Sequence, residues 1–260
     1  MRPRYEVILR ANHGADHPAA RLDPHRGGAE TRTPLRLAVA QPLCVPLDVA
    51  ANARAHAAAV RAAGARVVVF PELSLTGYEL DAPVVSVDDP RLAPLVEACA
   101  DSGTLALAGA PIAGDHIAVL AVTGAGVTVA YRKMWLGDAE ARRFRPGDVP
   151  VVLDVDGWRV GLAVCRDTGV AAHAQRTAAL GIDVYAAGVL ESARDAAVTD
   201  QRVRRIVTAH GVWVAVASFA GSTGGGFTEA AGRSGVWTPQ GEVVGRAGTE
   251  PGESVSVRLG

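Results

Sequence analysis

Short β-branched runs recur along this chain of 260 residues, separated by helix-length segments or turns. Such a pattern reads as buried strands alternating with helices and leaves few layer architectures open. Three of the runs end in one chemically potent side chain. These are Glu72 in Val-Val-Val-Phe-Pro-Glu-Leu-Ser-Leu-Thr-Gly-Tyr, Lys133 in Val-Ala-Tyr-Arg-Lys-Met-Trp-Leu, and Cys165 in Val-Gly-Leu-Ala-Val-Cys-Arg-Asp. A residue placed this way sits at the carboxyl end of its strand, the edge where open α/β sheets bind ligands. A thiol, a carboxylate and an amine gathered there make a nucleophile, a general base and a cation for a developing oxyanion. That combination points to hydrolysis of a carbon–nitrogen bond through a thioester.

The rest of the chain follows the same alternation. Leu37 to Gln41 predicts a strand, and Asp48 to Ala63 an Ala-rich helix capped by Asp48 and ended by Gly64. Val67 to Phe70 predicts a buried strand and Arg91 to Asp101 a helix. Thr104 to Ala110, His116 to Val122 and Val127 to Tyr131 predict three more strands. The polar segment Arg132 to Asp148, broken by Gly137, Pro146 and Gly147, predicts a loop with a turn of helix. Val151 to Val155 and Arg159 to Val164 predict a hairpin turning at Asp156-Gly157. Beyond it, Val170 to Leu180 and Ser192 to His210 predict helices, while Asp183 to Ala187 and Val212 to Ser218 predict strands. Gly235 to Thr238 and Glu242 to Arg246 predict a last pair, joined at Pro239-Gln240-Gly241. Each sheet must bury both faces, so two mixed sheets packed together with helices outside are expected.

Residues 1–34 stand apart, with six Arg, three His and one short apolar patch, Val7-Ile8-Leu9. They carry no periodic apolar face and are expected to be a disordered extension to a single domain over residues 35–260. Hydrophobic residues make up 49% of the chain, mostly Ala and Val, which is ample for one sizeable core of small side chains. The net charge of −1 is spread along the chain and offers no field for nucleic acid or an anionic membrane, so neither partner is expected. Cys44, Cys99 and Cys165 have neither a disulfide framework's number nor zinc spacing, which fits a reducing cytoplasm and predicts no metal. The longest apolar stretch, Gly211 to Gly221, is too short to span a bilayer.

Alone, a cysteine after an apolar strand is most often a small core residue, and a glutamate after Phe-Pro a turn carboxylate. Their ordered co-occurrence changes that. Phe70-Pro71-Glu72-Leu73-Ser74-Leu75-Thr76-Gly77-Tyr78 resembles the glutamate motif of the nitrilase superfamily of carbon–nitrogen hydrolases. Tyr131-Arg132-Lys133-Met134-Trp135-Leu136, followed by Glu140 and Phe144-Arg145-Pro146-Gly147, resembles its lysine motif, with Trp135 in place of the usual His. Gly161-Leu162-Ala163-Val164-Cys165-Arg166-Asp167 is similar to its cysteine motif. The resemblance covers roughly residues 35–250.

The resemblance implies a four-layer αββα sandwich, often a homodimer or higher homo-oligomer, with no metal and no organic cofactor. It places Glu72, Lys133 and Cys165 in the catalytic roles, and Glu140 where a second glutamate positions the lysine. The expected reaction is cleavage of a small linear amide, releasing ammonia or an amine. A nitrilase or an N-carbamoyl amidohydrolase would use the same triad, and a non-catalytic binding or scaffold protein is the reading from another class. Arg166, next to the nucleophile, is a candidate clamp for a substrate carboxylate, since guanidinium binds carboxylate bidentately. Tyr78 and Trp135 are the other candidate substrate-binding residues. Asp167 is expected to orient the turn after the nucleophile. Two stretches depart from the family pattern, Thr168-Gly169-Val170-Ala171-Ala172-His173 and Arg205-Ile206-Val207-Thr208-Ala209-His210, so substrate and dimer geometry do not transfer.

Overall fold

Side-chain alternation along the strands sorts the core of this protein into layers. The computed structural model describes residues 5–8 and 32–260. In strand β2 (Leu35–Gln41), Leu37 and Val39 face one way into a core shared by both sheets, while Ala38 and Ala40 face the other way, toward helices. Those helices are α1 (Val49–Ala63) and α2 (Ala93–Ser102), which lie either side of β3 (Val67–Val69) in sequence. Helix α1 forms as its sequence predicts. The Asp48 side chain accepts from Ala51 N at 2.9 Å, Gly64 ends it, and Val49, Ala53, His56, Ala57 and Val60 make its buried stripe.

The first sheet continues through β4 (Leu105–Ile112), β5 (His116–Thr123) and β6 (Gly126–Arg132). The second sheet is built on β7 (Val152–Val155), β8 (Trp158–Val164), β9 (Val184–Val189) and β10 (Trp213–Ser218). Between them run α3 (Ala171–Ala178) and α4 (Ala196–His210), after β8 and β9 respectively. Each sheet therefore has three parallel strands at its centre, β2-β3-β4 and β8-β9-β10, with antiparallel strands outside. In β9, Val184 and Ala186 enter the core between the sheets, whereas Tyr185, Ala187 and Val189 pack with Val203, Ile206 and Val207 of α4. The result is the αββα sandwich. Its β7–β8 hairpin turns where expected, with Asp156 at φ 53° and Gly157 at φ 83°, the paired positive values a two-residue hairpin needs.

Three differences from the sequence reading have physical reasons. Residues Tyr5–Ile8, inside the segment expected to be disordered, form strand β1, paired antiparallel with β7 from Tyr5 opposite Val155 to Ile8 opposite Val152. The edge of β7 would otherwise present unpaired backbone groups, and the short apolar patch supplies a strand to cover it. The same expectation for residues 1–4 and 9–31 falls outside the described residues. Secondly, the helix expected at 192–210 starts later, at Ala196, because Ala193–Asp195 winds first as a tight 3₁₀ turn, and the one expected at 170–180 spans only Ala171–Ala178.

Thirdly, a strand not assigned from sequence closes the first sheet. The two short strands β11 (Ala220–Gly221) and β12 (Ala230–Ala231) pair with each other, and β13 (Gly235–Trp237) and β14 (Val243–Arg246) complete the second sheet. Then β15 (Glu253–Leu259) lies antiparallel to β2, with Leu259 opposite Leu35. Its Ser-Val-Ser-Val alternation, with Val255 and Val257 turned toward the core, is a period-two signal that could have revealed it.

Candidate active site

Cys165 and Glu72 follow parallel strands of opposite sheets, β8 and β3, and Lys133 follows β6 of Glu72's own sheet. The sandwich thus brings three residues far apart in sequence to one place. Two glycines make this close approach possible. A Cβ on Gly109 of β4 would lie 2.3 Å from Leu73 N, and one on Gly188 of β9 would lie 2.4 Å from Phe70 O. The turn carrying Glu72 is therefore gripped between β4 of its own sheet and β9 of the other, with no room for a side chain on either side. The turns carrying Glu72 and Cys165 also hold non-glycine residues at positive φ, Leu73 at 50° and Cys165 at 42°. Such conformations cost on the order of 1–3 kcal/mol each and persist where the surroundings over-determine them. At Cys165 the turn presents the thiol at the head of a 3₁₀ helix.

Lys133 is buried, 1% exposed, and its charge is fully compensated. Its Nζ donates to Glu72 Oε1 at 2.6 Å and to both oxygens of Glu140 at 2.8 Å. Burial opposes the ammonium charge, but the carboxylates of Glu72 and Glu140 outweigh it and hold Lys133 above its ordinary value. Glu140 also accepts from Gly137 N at 2.7 Å and from Tyr78 Oη at 3.0 Å. Burial works against its ionisation, yet Lys133 and these donors keep its pKa below the usual range.

Glu72 has the opposite character. Burial comes first, and it drives the carboxyl up to about 8, with Glu140 adding repulsion and Lys133 opposing both. Its Oε2 is buried and has no hydrogen-bond partner among the described residues. A nearby cation by itself lowers a thiol's pKa, but here burial pushes Cys165 above its ordinary value, and the carboxylates of Glu72 and Glu191 add to the effect of burial while Lys133 only moderates it. The resting residue is a thiol, and its Sγ lies 3.6 Å from Leu190 O as donor.

The expected substrate-binding residues fall in different surroundings. The Tyr78 hydroxyl is engaged with Glu140, and its ring meets Phe227 edge-on at 5.6 Å and Phe219 at 6.4 Å. Trp135 is anchored by its backbone, N donating to Asp167 Oδ1 at 2.9 Å, with its ring edge-on to His173 at 5.5 Å. The Arg166 side chain is 54% exposed and 4.0 Å from the fully solvated Asp138. An ion pair this exposed contributes little by itself.

The structure also shows what Asp167 holds, and it brings in His173 and Glu191, which the motifs did not single out. Asp167 Oδ2 accepts from Val164 N at 2.9 Å and from Tyr131 Oη at 2.8 Å, so one carboxylate ties the cysteine turn to the lysine strand and, through Trp135, to the lysine loop. Burial raises Asp167 to about 6, tempered by these donors. His173, lowered to about 3 by burial, bridges Tyr131 Oη and Tyr185 Oη at 2.9 and 2.7 Å. Glu191, just beyond β9, ends an apolar run as Glu72 does, a signal available in the sequence. The glycine run after Gly221 docks on the glutamate motif, with Thr223 Oγ1 and Gly224 N both donating to Gly77 O at 2.8 Å. No cluster of three or more His, Cys, Asp or Glu able to hold a metal occurs among the described residues.

Glu140→Gln is expected to lower turnover by roughly ten- to a hundredfold without abolishing it, since a slightly misplaced Lys133 costs rate rather than the reaction itself. Steady-state ammonia release checks this. An unchanged rate would show that Lys133 is positioned without Glu140.

A buried carboxylate–lysine–carboxylate set beside a cysteine at a strained strand end, in an αββα sandwich, is the arrangement of a carbon–nitrogen hydrolase. A family model described as carbon-nitrogen hydrolase matches residues 36–258, and the chain belongs to that family. Its relatives include Hydrolase Rv0480c of Mycobacterium tuberculosis, 33% identical over 84% of this chain and 86% of that protein. Another is the hydrolase in the pqqF 5′ region of Pseudomonas protegens, 30% identical over 72% of this chain and 70% of that protein. Among solved structures, a mutant of the Nesterenkonia AN1 amidase from the nitrilase superfamily superposes with a TM-score of 0.79 at 25% identity, covering 88% of this chain and 91% of that one. Nit3 of Saccharomyces cerevisiae shares the fold, with a TM-score of 0.76 at 20% identity over 87% and 90% of the two chains.

Proposed function

We propose that this protein is an amidase that cleaves a small linear amide through a thioester on Cys165. The observation that carries the reading is the orphaned Oε2 of Glu72, a buried carboxylate oxygen with no partner among the described residues. Leaving such an acceptor unsatisfied is costly, and a group that must take and return protons needs that oxygen free. In this reading the Cys165 proton passes to Glu72 as Sγ bonds to the amide carbon. The carbonyl oxygen becomes an oxyanion, facing the Lys133 ammonium and the backbone N–H that follows Cys165. Lys133 spends its three N–H donors on Glu72 and on both oxygens of Glu140, so in this reading it turns one of the two Glu140 bonds toward that oxygen. A donor of this kind is worth about 3 kcal/mol.

Collapse of the tetrahedral species breaks the carbon–nitrogen bond, and Glu72 returns the proton to the departing ammonia or amine. Water then attacks the thioester, giving one proton to Glu72, and the released thiolate takes that proton back as the acid leaves. Glu140 and Tyr78 hold Lys133 in place throughout, while Asp167 and Trp135 hold the lysine loop against the cysteine turn. The family relationship and the 25%-identical amidase support the amide class. The free thiols of Cys44, Cys99 and Cys165 fit a reducing compartment, and no helix among the described residues is long and apolar enough to cross a membrane.

Mass spectrometry of Cys165 after incubation with short aliphatic amides tests the reading. An acyl adduct on that residue, with ammonia released, is the expected result. Ammonia without an adduct at Cys165, or neither product from any amide, overturns it.

A further inference from the structure

Glu191 takes no part in the chemistry above, yet it stands beside it. It lies just beyond the carboxyl end of β9, the neighbour of the strand that ends in Cys165, and Val164 pairs with Gly188 in that register. The preceding residue, Leu190, supplies the carbonyl that the thiol approaches. Only 13% of the Glu191 side chain is exposed. Its Oε1 accepts from Arg202 Nη1, and Oε2 accepts no hydrogen bond among the described residues. The carboxylate acts on the Cys165 thiol and feels the Lys133 ammonium, so it shares their field.

Arg202 stands behind Glu191. Its Nη1 also lies 3.5 Å from Thr168 Oγ1, and the cavity beside it, lined by Thr168, Thr199 and Val203, holds about 10 Å³. That is room for one water and no more. A substrate anion therefore has no place against the guanidinium on that side. A groove of about 240 Å³ starts one residue past Glu191, at Ser192, and its lining carries Arg194, Glu229 and Phe227, the last packed on Tyr78.

We propose that Glu191 is a specificity-determining residue, whose free carboxylate oxygen receives a protonated amine carried by the substrate a few atoms from the scissile carbonyl. The inference rests on the amidase reading and names its substrate class: amides bearing an amino group. A half-buried carboxylate whose second oxygen meets no donor among the described residues favours a ligand that brings a cationic donor, which a neutral isostere lacks. Sites built this way reject the analogue that lacks the donor more strongly than apolar pockets reject a missing methylene.

The test compares three amides of matched length on the wild-type protein: 4-aminobutanamide, pentanamide and succinamate. The expected kcat/KM, read from ammonia release, is roughly ten- to a hundredfold higher for 4-aminobutanamide than for pentanamide, with succinamate the poorest. Glu191→Gln is expected to bring the amine-to-neutral ratio close to one. Glu191→Asp, which keeps the charge but withdraws it by one methylene, is expected to move the optimum to 5-aminopentanamide, and it serves if the glutamine variant does not fold. Equal wild-type rates for the amine and neutral amides, a preference for succinamate, or an unchanged ratio in both variants overturns the inference while ammonia release from pentanamide upholds the amidase reading. Absence of ammonia and of a Cys165 adduct with every amide overturns both.

Discussion

Cys165→Ala is expected to reduce amide turnover by about five orders of magnitude or more, since the nucleophile supplies the bond that the thioester mechanism depends on. The fold should remain. Cys165 is only partly buried, and removing one sulfur leaves a small cavity, so the loss of stability should be about 1 kcal/mol, or roughly 2–4 °C in Tm for a domain of this size. The positive φ at this position is no worse for Ala than for Cys. Ammonia assays and thermal melts on the same preparation separate the two effects. Retained ammonia release by a well-folded variant would sink the mechanism.

Glu72→Gln is expected to remove at least about three orders of magnitude from kcat/KM, because it abolishes the group that carries the proton in both half-reactions. No thioester should accumulate, in contrast to Glu140→Gln, in which acylation continues slowly. Equal thioester trapping in the two variants would show that the base is wrongly assigned. The wild-type pH profile adds a second measure. Burial raises Glu72 to about 8, so the carboxylate that acts as base predominates only above that value. The expected kcat/KM falls as pH drops below about 8, close to tenfold per unit. Lys133, held above its ordinary value by its carboxylate neighbours, stays protonated across this range. An acid limb near pH 4–5 would mean that Glu72 titrates as a solvated carboxylate, contrary to its position.

Legibility differed sharply between residues. Helix α1 was readable to within a residue because its cap, its apolar stripe and its terminating glycine are all local. The β7–β8 hairpin was readable for the same reason, its Asp156-Gly157 turn being specific to that geometry. Strand β15 passed unassigned although its alternation was visible, and β1 was taken for unstructured chain, since an edge strand draws its stability from the neighbour it covers. Arg166 shows the limit of adjacency: its place in the chain names a neighbour of the nucleophile, while the exposure of its side chain is set by the tight 3₁₀ turn that carries it.

The amino-acid order by itself determined the chemistry available, with a carboxylate, an amine and a thiol each placed at a strand end, and the alternation that builds two helix-covered sheets. Both depend on residues a few positions apart, whose backbone periods and turn preferences act locally. Only the tertiary structure decided the protonation states and partners. Lys133 meets Glu72 across 61 residues of sequence, and Tyr78 meets Glu140 across 62. Whether Glu72 is a poised base or an inert carboxylate depends on how deeply the two sheets bury it, and whether Glu191 reads a substrate depends on Arg202 standing behind it. Burial and charge pairing are properties of the packed layers, and no local pattern in the chain specifies them.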